Sequence, residues 1–152
     1  MTKTGGFLHV RDDGDKVTMT YKQFNMLAID GCDEIETIVK DFDKAIEILE
    51  KSGLKSESYQ ESRREQWLLD DTEIVIDEWP WVNPYIEIEG KDEKSVKSVA
   101  EKLGFDWRAV AFGSVTTVYN DKFPNLIQTG VQISDVAEVK FGEKVPEILS
   151  KS

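Results

Sequence analysis

Carboxylates gather in the segment IDEWPWVNPYIEIEG, which spans residues 76–90. Asp77 ends one apolar run, and Glu87 and Glu89 alternate with isoleucines farther along the segment. Because successive side chains of a strand point to opposite faces, these two glutamates project from one face of one short strand. Carboxylate oxygens are the hard ligands that Mg²⁺ and Mn²⁺ prefer, so the segment is a candidate metal site. The alternative is a solvated strand face without a ligand.

Charged residues of both signs occupy one face of other predicted strands. They are His9 with Arg11, Lys22, and Glu34 with Glu36, while Arg64 lies on a strand that is polar on both sides and whose parity is ambiguous. Arginine and lysine bind phosphate oxygens, whereas carboxylates bind divalent cations. If the sheet curls until this face is interior, desolvation costs on the order of several kcal/mol per ion, so such a lining would be kept only for a ligand. The combination suits a metal-chelated polyphosphate.

Three predicted strands followed by a predicted helix occur twice along the chain. The first set covers residues 7–11, 16–24, 33–39 and 41–53, and the second covers 58–69, 72–77, 85–89 and 91–104. The pairs Asp13-Gly14 and Asp70-Asp71 are the expected hairpin turns. This order predicts an α+β fold, an antiparallel sheet with helices packed outside. Beyond it we expect a short helix over 114–123, a last strand over 136–141 and a C-terminal tail that frays.

The composition favours a single domain with a hydrophobic core over residues 1–152. Acidic residues outnumber basic ones 30 to 19, a net charge of −11, which argues against nucleic acid as a partner because its phosphates must be neutralised by Lys and Arg. Cys32 is the single cysteine, so an internal disulfide is excluded. The start MTKTGGFLHV does not fit a signal peptide, and no apolar run has transmembrane length. We therefore predict a cytoplasmic protein without a membrane partner.

Two further features are weaker signals. His9 is the only histidine, and beside Arg11 we interpret it as a wall residue of the charged face. Trp79 and Trp81 flank Pro80, and we interpret them as closing a core, with stacking on a nucleobase as the alternative. The sequence contains neither a P-loop nor a glycine-rich dinucleotide fingerprint.

The segments VRDDGDKVTMTYKQF, SYQESRREQW, IVIDEWPWVNPYIEIEG, AEKLGF and FGSVTTVY resemble the CYTH domain, also called the triphosphate tunnel metalloenzyme family. The likeness runs from Phe7 to Phe141 and is closest to bacterial class IV adenylate cyclase-like proteins. It implies an eight-stranded antiparallel β-barrel with helices outside. The barrel's tunnel would hold a triphosphate, ATP or inorganic tripolyphosphate, together with Mg²⁺ or Mn²⁺. The implied activity is that of an adenylate cyclase or of a triphosphatase.

The resemblance also implies roles for particular residues. The family's metal-binding acids are matched by Asp77, Glu87 and Glu89, and its phosphate-binding bases by Arg11, Lys22 and Arg64. A tunnel acid of the family is matched by Glu36, with Glu34 beside it. The resemblance therefore makes Glu36 and Lys22 the catalytic candidates.

The family's first strand, of the form E-x-E-x-K, has no counterpart before TGGFLHVR. We therefore expect an N-terminally truncated CYTH-like domain in which the first strand and helix are absent. The strand edges exposed in this way would favour a homodimer. Two alternatives to an enzyme stay open: a non-catalytic module that binds nucleotide or polyphosphate, and a β-barrel carrier whose charged face is only solvated.

Overall fold

The structure is a computed structural model, and it describes residues 6–24 and 32–150. The chain divides into two compact units, Met1–Ser56 and Glu57–Ser152. The side chain of Cys32, for which a reduced thiol is expected, lies outside the described residues. Within the described part of the chain, the helices are too short or too polar to cross a membrane.

The first unit consists of three antiparallel strands and one helix. Strands β1 (Phe7–Asp12), β2 (Val17–Phe24) and β3 (Cys32–Val39) pair in the order β1-β2-β3, and helix α1 covers Phe42–Lys51. The hairpin between β1 and β2 turns at Gly14, whose positive φ of 87° suits a glycine, and Asp12 accepts a hydrogen bond from its amide. The predicted elements of residues 7–53 are confirmed.

Helix α1 begins and ends where its sequence signals lie. Asp41 is the N-cap, and its side chain accepts a hydrogen bond of 2.9 Å from the amide of Lys44. The helix ends at Lys51 with Ser52 as its C-cap, and the following Gly53 has a φ of 93°, in the left-handed region.

The second unit contains the remaining strands and helices. In chain order these are β4 (Tyr59–Gln60), β5 (Arg63–Leu69), β6 (Thr72–Glu78), β7 (Tyr85–Glu89), α2 (Glu93–Lys102), a 3₁₀ turn (Trp107–Ala109), α3 (Val115–Lys122), α4 (Asn125–Thr129), a second 3₁₀ turn (Ile133–Asp135), β8 (Glu138–Val139) and α5 (Glu147–Ser150). Strands β5, β6 and β7 form an antiparallel sheet in that order. Asp70 and Asp71 both have positive φ, 52° and 58°, as a type I′ hairpin turn requires.

The predicted strand over 58–69 is wrong in its continuity, because the chain changes partners within it. Tyr59 and Gln60 pair in parallel with Glu138 and Val139, and β5 then pairs with β6. The amide of Glu61 still donates to the carbonyl of Val139. The predicted last strand over 136–141 is correspondingly reduced to the two residues of β8. Its pairing partner is 79 residues away in the sequence, so local periodicity could not reveal it.

A hydrophobic core lies in the second unit and includes the C-terminal helix. Its buried members are Tyr119, Leu126, Ile133, Val136, Val139 and Leu149. Leu149 has 0% exposure, so the predicted fraying of the tail is wrong for residues 147–150. Trp79 and Trp81 pack against this core, which confirms the interpretation that they close it. The hydroxyl of Tyr119 donates a hydrogen bond of 2.7 Å to the carbonyl of Pro80, which lies between the two tryptophans.

The α+β character and the repeated pattern of three strands and a helix are confirmed. In the described ranges, the strands pair as two three-stranded antiparallel sheets and one two-stranded parallel ladder. A closed eight-stranded barrel stays a prediction, as does a single domain over residues 1–152.

Candidate functional site

One face of the sheet β5-β6-β7 carries most of the residues expected to bind a ligand. We call it the charged face of the second unit, and it comprises Arg64, Gln66, Leu68, Glu73, Val75, Asp77, Tyr85, Glu87 and Glu89. The register brings Arg64 opposite Asp77, and Asp77 opposite Tyr85. Since cross-strand partners project to the same side, the register resolves the ambiguous parity of β5 and confirms the alternation predicted for β6 and β7.

Arg64 and Asp77 form the centre of this face. The guanidinium donates from Nε to Oδ1 of Asp77 at 2.8 Å and from Nη2 to Oδ2 at 2.6 Å. Nη2 also donates to Oε2 of Glu87 at 3.3 Å. Asp77 is 1% exposed, so this carboxylate is buried and needs its charged partner. The hydrogen bonds to Asp77 raise the pKa of Arg64, which keeps the guanidinium cationic.

Two neighbours of the pair have shifted acidities. Burial raises the pKa of the Glu87 carboxyl above its ordinary value, and the negative charge of Asp77 raises it further. Burial also raises the pKa of the Tyr85 phenol, with additional contributions from Glu87 and Asp77. Tyr85 therefore keeps its proton at neutral pH and presents a hydrogen-bond donor on this face.

The opposite face of the same sheet has an apolar part beside Arg63, Glu65 and Glu78, and some of this apolar part is open to solvent. It contributes to a groove of about 390 Å³ lined mainly by aliphatic and aromatic side chains: Trp67, Leu68, Leu69, Ile74, Ile76, Ile86, Leu103 and Phe105. Trp67 is 59% exposed, whereas Asp77 on the other face is 1% exposed. Burial is mixed on both faces, since Ile74 of the apolar side is 7% exposed, but an ordinary half-solvated sheet would not bury an ionised residue such as Asp77 on its polar face. The charged face is thus not simply the wet side of the sheet.

The sheet of the first unit has its own charged face, made by His9, Arg11, Thr18, Thr20, Lys22, Glu34 and Glu36. Thr20 donates from Oγ1 to Oε2 of Glu36 at 2.9 Å, and Nζ of Lys22 lies 3.2 Å from Oε2 of Glu34. Nε of Arg11 lies 2.7 Å from Oδ1 of Asp13 in a salt bridge. The four predicted site residues of this unit, counting Glu34, therefore lie on one sheet face.

The pKa of His9 depends on the charges of that face. Burial lowers the pKa of its imidazole, and the positive charges of Arg11 and Lys22 lower it further. His9 is therefore neutral at pH 7, and the cations dominate its surroundings despite the acidic net charge of the chain.

The predicted metal ligands do not converge. Among the residues that the structure describes, no group of three or more His, Cys, Asp or Glu side chains could hold a metal ion. Arg64 occupies both oxygens of Asp77 and contacts Glu87, and Glu89 lies opposite Glu73, one pair farther along the sheet. In this arrangement Asp77, Glu87 and Glu89 share a face but do not fit a resident metal ion.

Tyr85 is a member of the charged face to which the sequence analysis assigned no role. Its hydroxyl is buried and has no hydrogen-bond partner among the described residues. The sequence places Tyr85 on the same strand face as Glu87 and Glu89, which could have indicated a role, but a tyrosine in a strand is ordinarily a packing residue. Burial of its hydroxyl depends on the tertiary structure.

These observations define an α+β protein with an arginine–carboxylate network on one sheet face, in which Asp77 is buried and Arg64 is partly exposed. The chain belongs to the CYTH domain family, whose model matches residues 1–116. Membership implies triphosphate binding at the level of the family.

Solved structures and curated proteins were also compared with the chain. It is similar to a conserved hypothetical protein from Pyrococcus furiosus, with 19% identity and a TM-score of 0.56 over 73% of each chain. It is similar to the PH1012 protein from Pyrococcus horikoshii OT3, with 23% identity and a TM-score of 0.56 over 73% of each chain. At these identities the likeness concerns the fold. No match was found among curated proteins.

Proposed function

We propose that this protein binds a metal-chelated triphosphate, ATP or inorganic tripolyphosphate, and converts it by phosphoryl-type chemistry. The observation that carries the proposal is the buried Asp77 carboxylate held by Arg64 in a chain of the CYTH family. Burying the Asp77 carboxylate is expensive even beside a partly exposed arginine, and a hydrophobic pair of similar volume is often as stable or more so. A ligand that takes the place of one member of the pair would explain why the charged pair is present.

Electrostatics favours a chelated ligand over a free polyanion. The charged face of the second unit carries one guanidinium, from Arg64, against four carboxylates, from Glu73, Asp77, Glu87 and Glu89. A bare triphosphate would be repelled by this excess of negative charge. A divalent cation that arrives with the phosphates neutralises them and gives the carboxylates a hard cation to bind.

The roles follow from charge and chemistry. Arg64 binds phosphate oxygens once it has exchanged Asp77 for the ligand, and Arg11 and Lys22 supply the cationic charge of the first unit. Asp77, Glu87 and Glu89 receive the cation that the triphosphate carries. Glu36 and Lys22 are the groups proposed to position and assist the reacting atoms.

Two reactions are compatible with this ligand. Hydrolysis by water would make the protein a triphosphatase. Cyclisation instead requires the ribose 3′-hydroxyl in line with the α-phosphorus and pyrophosphate as the leaving group, as in a class IV adenylate cyclase. Tripolyphosphate has no ribose and can only be hydrolysed, so the two substrates separate the two reactions.

A binding module without turnover is the second candidate. It is favoured by the failure of three carboxylates to converge in the described part of the chain. Such a module would use the same charged residues and the same ligands, but it would release the triphosphate unchanged.

Calorimetric titration with ATP and tripolyphosphate, each with and without Mn²⁺, tests the proposal. We expect binding that depends on Mn²⁺ and is weakened at least tenfold in Arg64→Ala, since hydrogen bonds to charged groups contribute roughly 1.5–3 kcal/mol. Arg63→Ala, on the opposite face of the same strand, is the matched control and should bind normally. Phosphorus NMR of the same samples then detects any product. The absence of binding under all four conditions would refute the proposal, and binding without product would favour the module.

A further inference from the structure

The hydroxyl of Tyr85 is buried and has no hydrogen-bond partner among the described residues. Three other side-chain atoms share this property among the residues described: Trp79 Nε1, Asn120 Oδ1 and Asn125 Nδ2. Tyr85 differs from these because it stands on the charged face, directly opposite Asp77 and two residues before Glu87. An unpaired buried hydroxyl destabilises a fold relative to phenylalanine in the same place, so packing alone does not require a tyrosine here.

The acceptors nearest in the sheet are already engaged. Both oxygens of Asp77 accept from Arg64, and Oε2 of Glu87 accepts from Arg64 as well. A tyrosine phenol is protonated at neutral pH, so its O–H is a donor. An incoming anionic oxygen would supply the acceptor that the described surroundings do not.

We propose that Tyr85 is a ligand-binding residue, whose hydroxyl donates a hydrogen bond to a phosphate oxygen of the bound triphosphate. This inference rests on the proposed function and extends it by one named contact. A donor that is neutral and buried discriminates by geometry, whereas the guanidinium of Arg64 attracts any anion. Tyr85 therefore helps to orient the triphosphate against Arg64.

Tyr85→Phe, compared with Tyr119→Phe, tests this contact. The two tyrosines belong to the same unit, and Tyr119 differs in having an intramolecular partner, the carbonyl of Pro80 at 2.7 Å. For Tyr85→Phe we expect affinity for Mn²⁺-tripolyphosphate to fall about tenfold, with a melting temperature without ligand equal to or above that of the wild type. For Tyr119→Phe we expect the opposite pattern, a lower melting temperature and unchanged affinity of the folded protein.

The outcomes separate this inference from the proposed function. Wild-type protein that binds Mn²⁺-tripolyphosphate while Tyr85→Phe binds equally well would overturn the inference alone. A lower melting temperature of ligand-free Tyr85→Phe would also overturn it, because the hydroxyl would then have a structural partner. Wild-type protein that fails to bind at all would overturn the proposed function, and the contact with it.

Discussion

Arg64 lies opposite Asp77 across β5 and β6 and holds both of its carboxylate oxygens, at 2.8 and 2.6 Å. Two parallel N–H···O bonds of this kind are the strongest geometry available to an arginine and a carboxylate. Glu87 on β7 joins the pair at 3.3 Å, so three adjacent strands contribute to one network. In the ligand-free protein this network neutralises the buried charge that a ligand would otherwise meet.

Removing Arg64 should destabilise the protein strongly. Arg64→Ala leaves the Asp77 carboxylate buried without its partner, and we expect the free energy of unfolding to fall by about 3 kcal/mol, the lower end of the usual range because the arginine is partly exposed. Urea denaturation measures the change. The matched control, Arg63→Ala, removes an exposed contact of 3.4 Å with Glu78 and the stacking of the guanidinium on the Phe141 ring at 4.3 Å, and it should cost about 1 kcal/mol.

The same network should behave non-additively. Combining Arg64→Met with Asp77→Leu removes both charges and keeps apolar volume, so the double variant should be more stable than either single variant. If the losses in free energy of unfolding of the two single variants simply added in the double variant, Arg64 and Asp77 would have no coupling energy.

Glu87→Gln should increase stability at neutral pH. The folded-state pKa of Glu87 is raised, so the folded protein binds this proton more readily than the unfolded chain does. The ionised group therefore opposes folding at pH 7, and the wild type regains stability as the pH falls towards 4.5, the ordinary value. We expect the advantage of the variant in melting temperature to shrink over this range. Glu101→Gln, at an exposed position of helix α2, is the control for the loss of one negative charge from an acidic chain. If the gain in melting temperature of Glu87→Gln did not change with pH, the raised pKa of Glu87 would be contradicted.

The single histidine permits a clean titration. Because burial and the charges of Arg11 and Lys22 lower the pKa of His9, its NMR signals should titrate with a midpoint below 6.5. The unfolded chain binds this proton more readily, so the contribution of His9 to stability is lost as the pH falls below 6.5. Arg11→Met should raise the midpoint, and so should a phosphate ligand on the charged face of the first unit. A wild-type midpoint at or above 6.5 would be inconsistent with this account.

The hairpin between β5 and β6 can be improved. Asp71 adopts a φ of 58°, a conformation that glycine reaches without steric cost. Asp71→Gly should stabilise the protein by about 0.5 kcal/mol, and Asp71→Ala should destabilise it by about 1 kcal/mol. Thermal unfolding distinguishes the two; a loss in the glycine variant would mean that the aspartate side chain has a role in the turn.

Local sequence signals predicted the elements that lie within one hairpin or one helix. Alternation in YIEIE places Glu87 and Glu89 on one face, and the structure has that strand at Tyr85–Glu89. Asp41 and Gly53 bound the first helix as expected. These features depend on neighbours a few residues away, which is why a single sequence contains them.

Features that depend on distant pairing were not predictable in this way. The break after Gln60 arises from pairing with β8, and the tail is ordered because Leu149 enters a core that forms around Tyr119. The bidentate contact of Arg64 also required the register of β5 against β6, since the strand is polar on both sides. The same holds for the unpaired hydroxyl of Tyr85.

The location of the ligand tests the central claim most directly. A crystal of the protein with Mn²⁺ and a non-hydrolysable triphosphate, measured at the manganese absorption edge, would reveal the cation by its anomalous signal. We predict manganese beside the carboxylates of Asp77, Glu87 and Glu89, with Arg64 turned from Asp77 to a phosphate oxygen. A triphosphate bound elsewhere, with Arg64 still holding both oxygens of Asp77, would contradict the account.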